Sequence, residues 1–263
     1  MTIPDRIIAI DWSGSKDFRL QRKHIQTAIA SEDGLALFGN KTREELINWL
    51  KDEADCFNAP TVIGLDFAFS FPLSYFEKLG VKNTYEMWSK VEEMGEEWMR
   101  NCQSPFWGKP GKKRPETHYA QGFRATEKIN IQGILPKSIF QISGAGAVGT
   151  GSMRGMPFLK TLHDAGFSIW PFDPVRFPLV VEIYPRLFTG AVHKSNMEAR
   201  RQYLASKSYR FAAPFTQFEA EQSEDAFDAV VSAAEMYGNR QKFAHLTGAN
   251  TKIEQLEGQI WGR

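Results

Sequence analysis

Apolar positions along this chain fall into short runs that stop at polar or acidic residues. Residues 6–10 (RIIAI) read as a strand that ends in the turn-prone segment Asp11-Trp12-Ser13-Gly14-Ser15. A second run, residues 25–30, leads through Glu32-Asp33-Gly34 into a third at 35–38, and the Asp-Gly pair signals a hairpin. Thr42 with Glu45 three residues later predicts a capping box and a helix to about residue 54, with Leu46, Ile47 and Leu50 on its apolar face. Residues 61–65 (TVIGL) are apolar throughout, which suits a central parallel strand covered on both faces, and the run stops at Asp66. Only the connection into that strand holds a crossover helix, so the pattern predicts an α/β fold with a mixed sheet and an N-terminal meander.

Beyond Asp66 the pattern is less regular. Tyr85, Trp88, Val91 and Trp98 recur at helical spacing, predicting a helix over about 83–102. Residues 103–128 are rich in Pro, Gly, Lys and aromatics and read as a long loop. A glycine-rich stretch, 144–155, precedes an expected helix over 157–165; residues 177–183 (FPLVVEI) read as a fifth strand, followed by helices near 196–207 and 223–237. With no internal repeat and no low-complexity linker, the expectation is one domain over 1–263, carrying an insertion at about 73–170 after the fourth strand.

Candidate chemistry lies in carboxylates placed where buried strands end. Asp11 closes the first strand, Asp66 the fourth, and Glu182 stands near the end of the fifth. An ionised carboxylate beside such apolar runs is costly unless it is paired or binds a metal. The ends of neighbouring parallel strands converge on one crevice. The last helix adds Asp225 and Asp228, three apart and so on one face. Each of these residues alone also fits a turn or cap role, and Asp225 suits a helix's first turn. Several carboxylates in one crevice repel one another, and Mg²⁺ or Mn²⁺ suits an all-oxygen set. Two such ions about 4 Å apart form the clamp used in phosphodiester hydrolysis.

The segments IAIDWSG, VIGLDFAFSFP, VEIYPR and EDAFDAVVSA resemble the motifs of a predicted-nuclease family catalogued as a domain of unknown function (number 429), placed in the ribonuclease H-like superfamily. Glu182, Tyr184 and Pro185 carry the most family-specific of these motifs, and the Asp225/Asp228 pair is similar to the closing motif of Holliday-junction resolvases. The resemblance implies a ribonuclease H-like, mixed five-stranded sheet flanked by helices and a metal-dependent nuclease acting on DNA or RNA. It implies Asp11, Asp66, Glu182, Asp225 and Asp228 as candidate catalytic ligands. On this reading Asp11 bridges two ions and Asp66 and Asp228 complete their ligand sets, with Glu182 and Asp225 ligating or holding a ligand.

Other signals compete. The segment Asp11 to Ser15 also resembles the first phosphate loop of sugar kinases and actin-like ATPases, in which Ser13 and backbone amides would hold a nucleotide phosphate. Gly144-x-Gly146-x-x-Gly149 matches the dinucleotide fingerprint as a pattern, but residues 138–142 make a meagre strand before it. The glycines therefore suggest a flexible rim loop. No P-loop motif occurs. Residues 104–128 interleave basic and aromatic side chains, among them Trp107, Lys112, Lys113, Arg114 and Arg124, as in surfaces that hold single strands. A solvated surface loop is the plainer alternative. The five histidines show no metal-ligand spacing; His118 or His163 could assist water activation. Trp170 to Pro174 reads as a structural turn.

Composition sharpens this in three places. Two cysteines exclude a disulfide scaffold and a four-cysteine zinc site, fitting a reducing compartment. The N-terminal segment lacks signal-peptide features, and no apolar stretch approaches the roughly 18 residues that span a bilayer. The expectation is therefore a cytoplasmic protein with no membrane partner. A net charge of +1 argues against a uniformly basic nucleic-acid binder. Locally, however, residues 86–97 hold five glutamates against one lysine, and residues 109–128 hold six Lys or Arg against two glutamates. Three function classes remain open: metal-dependent nuclease, nucleotide-binding phosphotransferase, and non-catalytic nucleic-acid or protein interaction module.

Overall fold

The computed structural model describes residues 2–56, 59–130 and 134–262, with backbone alone at 54–56, 119 and 120. The strands are Arg6–Asp11 (β1), Gln26–Ser31 (β2), Gly34–Phe38 (β3), Thr61–Leu65 (β4), Ser168–Ile169 (β5) and Leu179–Glu182 (β6). Among the described residues they form a mixed sheet of six strands rather than the expected five, in the order β3-β2-β1-β4-β6-β5. The extra strand, β5, is only two residues long, too short for any hydrophobic period to mark it. Helices flank the sheet, giving an α/β architecture. Contacts divide the chain into two compact units, one of Met1–Asp66 and Arg176–Leu246, the other of Phe67–Val175 and Thr247–Arg263.

In the first unit, β1, β2 and β3 form the antiparallel meander, while β1–β4 and β4–β6 pair in parallel. Every residue of β4 is buried, as its unbroken apolar run requires for a central strand. Thr42 and Glu45 make the reciprocal capping box of the helix Arg43–Cys56: the Glu45 amide donates to Thr42 Oγ1 at 3.3 Å, and the Thr42 amide to Glu45 Oε2 at 2.8 Å. The helix Glu224–Gly238 begins at the Ser223 cap and packs on β1 and β2 through Phe227, Val230 and Val231. Close packing against β4 depends on Gly64, where a Cβ would stand 2.8 Å from Met236 Sδ and 2.9 Å from Ile183 Cγ2.

A seven-residue helix, Phe18–His24, stands between β1 and β2, where the sequence pattern shows none. Its buried residue is Gln21, while Phe18 and Leu20 are exposed, so it lacks an apolar stripe. Gln21 Nε2 donates to the Ser15 carbonyl at 3.0 Å and its Oε1 accepts from the Arg43 amide at 3.1 Å. Arg43 Nη1 donates to the Ser13 and Ser15 carbonyls at 2.9 and 2.7 Å, which fastens the loop after β1.

The second unit has an aromatic core in which Phe71, Tyr75, Phe106 and Phe140 meet at ring-centroid distances of 4.9–6.4 Å. The helix Thr84–Asn101 matches the predicted spacing, with Asn83 as its cap. The glycine-rich stretch is a correction: the helix Gly149–Asp164 starts eight residues before the expected position. Its glycines answer to close approach, since a Cβ on Gly149 would lie 2.0 Å from the Ile139 carbonyl oxygen and one on Gly155 2.6 Å from the Phe67 ring. Asp173, within the segment read as a turn, accepts from the Ile169 amide at 2.8 Å and from Tyr85 Oη at 2.7 Å. Among the described residues no helix is long and apolar enough to cross a membrane.

Candidate functional site

Strand register builds the site. In the parallel ladder Ile10 is matched with Leu65 and Leu65 with Glu182. One step further along, Asp11 and Asp66 end adjacent strands, and the Asp66 amide donates to the Ile10 carbonyl at 3.1 Å. Glu182, level with Leu65, is one residue out of phase with Asp66 in the pleat. The helix Glu224–Gly238 then brings Asp228 to the same place, one turn beyond its N-terminal Asp225. All five carboxylates belong to the first unit.

Charge interactions connect all five: Asp228, Asp66 and Asp225 act on Asp11, and Glu182 acts on Asp66. Asp11 and Asp66 keep some surface exposure, but neighbouring atoms crowd both carboxyls. Desolvation pushes Asp11 well above the usual carboxylate range, and the charges of Asp228, Asp66 and Asp225 push it the same way. Desolvation raises Asp66 to about 8, aided by Asp228 and Glu182 and opposed by Lys194 and a hydrogen bond from Asp11. Asp228 is 5 % exposed and is raised by burial to about 6, again against Lys194. Glu182 is buried at the edge of this group, where its charge reaches Asp66.

Two residues without any sequence signal enter the site. Lys194 donates from Nζ to Asp228 Oδ2, and its charge also acts on Asp66 and Asp11. His24, the last residue of its helix, places Nδ1 2.8 Å from Asp225 Oδ2. Asp225 is therefore committed to His24 while it still acts on Asp11 and Asp228 through its charge. The two partners are separated from their aspartates by 34 and 201 residues, distances at which no spacing rule operates.

The oxygens suit a hard divalent ion. Asp228 Oδ1 is buried and has no hydrogen-bond partner, an unsatisfied acceptor on a residue whose charge acts on Asp11 and Asp66. Among the described residues no group of three or more His, Cys, Asp or Glu side chains stands ready-made to hold an ion. The other oxygen of Asp228 is taken by Lys194.

The remaining predicted residues divide. Ser13 Oγ accepts from the Ser15 amide at 3.3 Å, and Ser15 Oγ from the Asp17 amide at 3.2 Å, so the Ser15 amide of the supposed phosphate loop is already used within it. Lys112, Lys113 and Arg114 are exposed, and the Arg114 guanidinium sits 5.9 Å from the Trp107 ring centroid. Arg124 is a correction. It is 1 % exposed, pairs with Glu127 at 2.8 Å and donates to the Glu257 carbonyl at 3.1 Å, so it offers no surface to a ligand. His118 is buried against Trp107 and Phe123, and His163 is held 3.0 Å from Asp173. Apart from Ser13, these residues belong to the second unit.

No family model, curated protein or solved structure matches the chain.

Proposed function

We propose that this protein is a metal-dependent phosphodiesterase acting on DNA or RNA, a nuclease on a ribonuclease H-like sheet, and that it belongs to the predicted-nuclease family its motifs resemble. The observation that carries the proposal is the convergence of Asp11, Asp66 and Asp228, from two strand ends and one helix, into a group whose burial and mutual repulsion hold all three carboxyls up. A fold that gathers like charges at this cost calls for a cation to relieve it. The strand order, with an antiparallel meander before two parallel pairings, supports the ribonuclease H-like assignment.

Asp11, Asp66 and Asp228 would hold Mg²⁺ or Mn²⁺, with Glu182 acting on Asp66 through its charge. When bound, such an ion supplies Lewis-acid activation of water and of the scissile phosphodiester. The chain's own residues orient and exclude. The β1–β4 register fixes Asp11 beside Asp66, the Arg43 and Gln21 bonds hold the loop after Asp11, and His24 fixes Asp225. The exposed Lys112, Lys113 and Arg114 supply positive charge that suits a phosphate backbone.

The test is cleavage of single-stranded, duplex and branched DNA and of RNA with Mg²⁺ or Mn²⁺, comparing wild type with Asp11→Asn. The wild type should cut at least one substrate, and Asp11→Asn should lose that activity without losing its fold. Absence of metal-dependent cleavage by the wild type on every substrate overturns the proposal. ATP raising the melting temperature more than divalent metal alone would move the assignment to a phosphotransferase.

A further inference from the structure

Lys194 is delivered into the carboxylate group by a segment that is built to hold it there. Arg186 Nη1 donates to the Val192 carbonyl at 2.7 Å, and the Lys194 amide donates to the same carbonyl at 3.0 Å. Arg200, 5 % exposed, donates from Nη1 to the Lys194 carbonyl and from Nε to the Glu221 carbonyl at 3.0 Å. Two arginines thus bond backbone oxygens of this segment, one at Val192 and one at Lys194 itself. The result is an ammonium with a quarter of its side chain exposed, bonded to Asp228 Oδ2 and acting on Asp66 and Asp11. The second oxygen of Asp228 is buried and unpartnered.

A tethered ammonium carries a single positive charge, which does not balance three carboxylates. A divalent ion among the same oxygens would bring twice the charge, and the two cations would repel one another in a poorly solvated site. From this we infer that Lys194 is an internal counter-cation of the metal-free site: it holds Asp228 until a divalent ion enters, and ion binding displaces the ammonium toward solvent. The inference rests on the metal reading above and adds to it that ion entry is an exchange of one cation for another.

Two measurements test it, neither of them activity. Metal-free wild type, Lys194→Met and Lys194→Arg are titrated with Mn²⁺ by calorimetry. Lys194→Met, without the competing charge, should bind about tenfold more tightly or better, and Lys194→Arg, which keeps the charge, should bind like wild type. On the wild type alone, acylation of Lys194 by an amine-reactive reagent, read by mass spectrometry, should rise when Mn²⁺ is added, because the freed ammonium becomes accessible. Equal or weaker Mn²⁺ binding by Lys194→Met, or labelling that is unchanged or reduced by Mn²⁺, overturns the exchange while leaving the metal site standing. If neither wild type nor either variant binds Mn²⁺, the metal reading itself fails and the exchange falls with it.

Discussion

Replacing Asp66 with Asn should make the metal-free protein more stable, and increasingly so as pH rises. Asp66 titrates near 3.8 in an unfolded chain and at about 8 in the fold, because its carboxyl is desolvated and faces Asp228. The folded state therefore retains a proton that the unfolded chain has released. The stability tied to the neutral carboxyl is fully present below about pH 4 and is lost as pH climbs through about 8. Fully expressed, that displacement is about 6 kcal/mol. Partial exposure of the carboxyl and a proton shared with Asp11 reduce it to about 2 kcal/mol. Asparagine mimics the neutral acid at every pH, and its carbonyl still accepts the hydrogen bond from Asp11. The expected gain is about 4–8 °C in melting temperature at pH 8.5 with EDTA present, and less than half of that at pH 5. Saturating Mn²⁺ should narrow the gap by stabilising wild type alone. Thermal denaturation followed by circular dichroism at the two pH values decides it. A variant no more stable than wild type at pH 8.5, or a gap of the same size at both pH values, refutes the claim that burial, aided by neighbouring carboxylates, holds the Asp66 carboxyl neutral.

Other outcomes follow from the second unit. Arg124→Ala leaves Glu127 buried without its cation and should cost about 3–5 kcal/mol, seen as a large drop in denaturant midpoint. Replacing Lys112, Lys113 and Arg114 together by Ala should leave the melting temperature within about 1 °C, because all three side chains are exposed. On the nuclease reading the same triple variant should weaken nucleic-acid binding and flatten its salt dependence in fluorescence anisotropy titrations. Gly149→Ala should destabilise by more than about 2 kcal/mol in chemical denaturation, since the added Cβ meets a backbone oxygen rather than a side chain that can swing away.

Much of the first unit was legible before any coordinates. Alternation and apolar runs marked β1 to β4 and β6 to within two residues at either end, because strands of a covered sheet must be apolar. The Thr42 and Glu45 box marked a helix start through local hydrogen bonds that need nothing from the rest of the chain. The positions of Asp11, Asp66 and Asp228 were legible for the same reason: each interrupts or borders a pattern that is otherwise hydrophobic. The helix Phe18–His24 escaped because its inward residue is a glutamine satisfied by a loop carbonyl and an amide from another helix. The glycine-rich helix escaped because glycine lowers local helix propensity, while its use there is to let a backbone oxygen come close.

The sequence by itself determined which residues end the strands, and hence that carboxylates would cluster at one end of the sheet. Tertiary structure alone decided what those carboxylates meet. Lys194 and His24 sit in polar segments with no periodicity, and they reach Asp228 and Asp225 only because the fold brings distant stretches together. Arg124, which reads as part of a basic surface in a run of lysines and arginines, is turned inward by an ion pair with Glu127 that only burial makes worth forming. Hydrophobic pattern is a local property of the chain, whereas the partner of a charge depends on which segments are packed beside it.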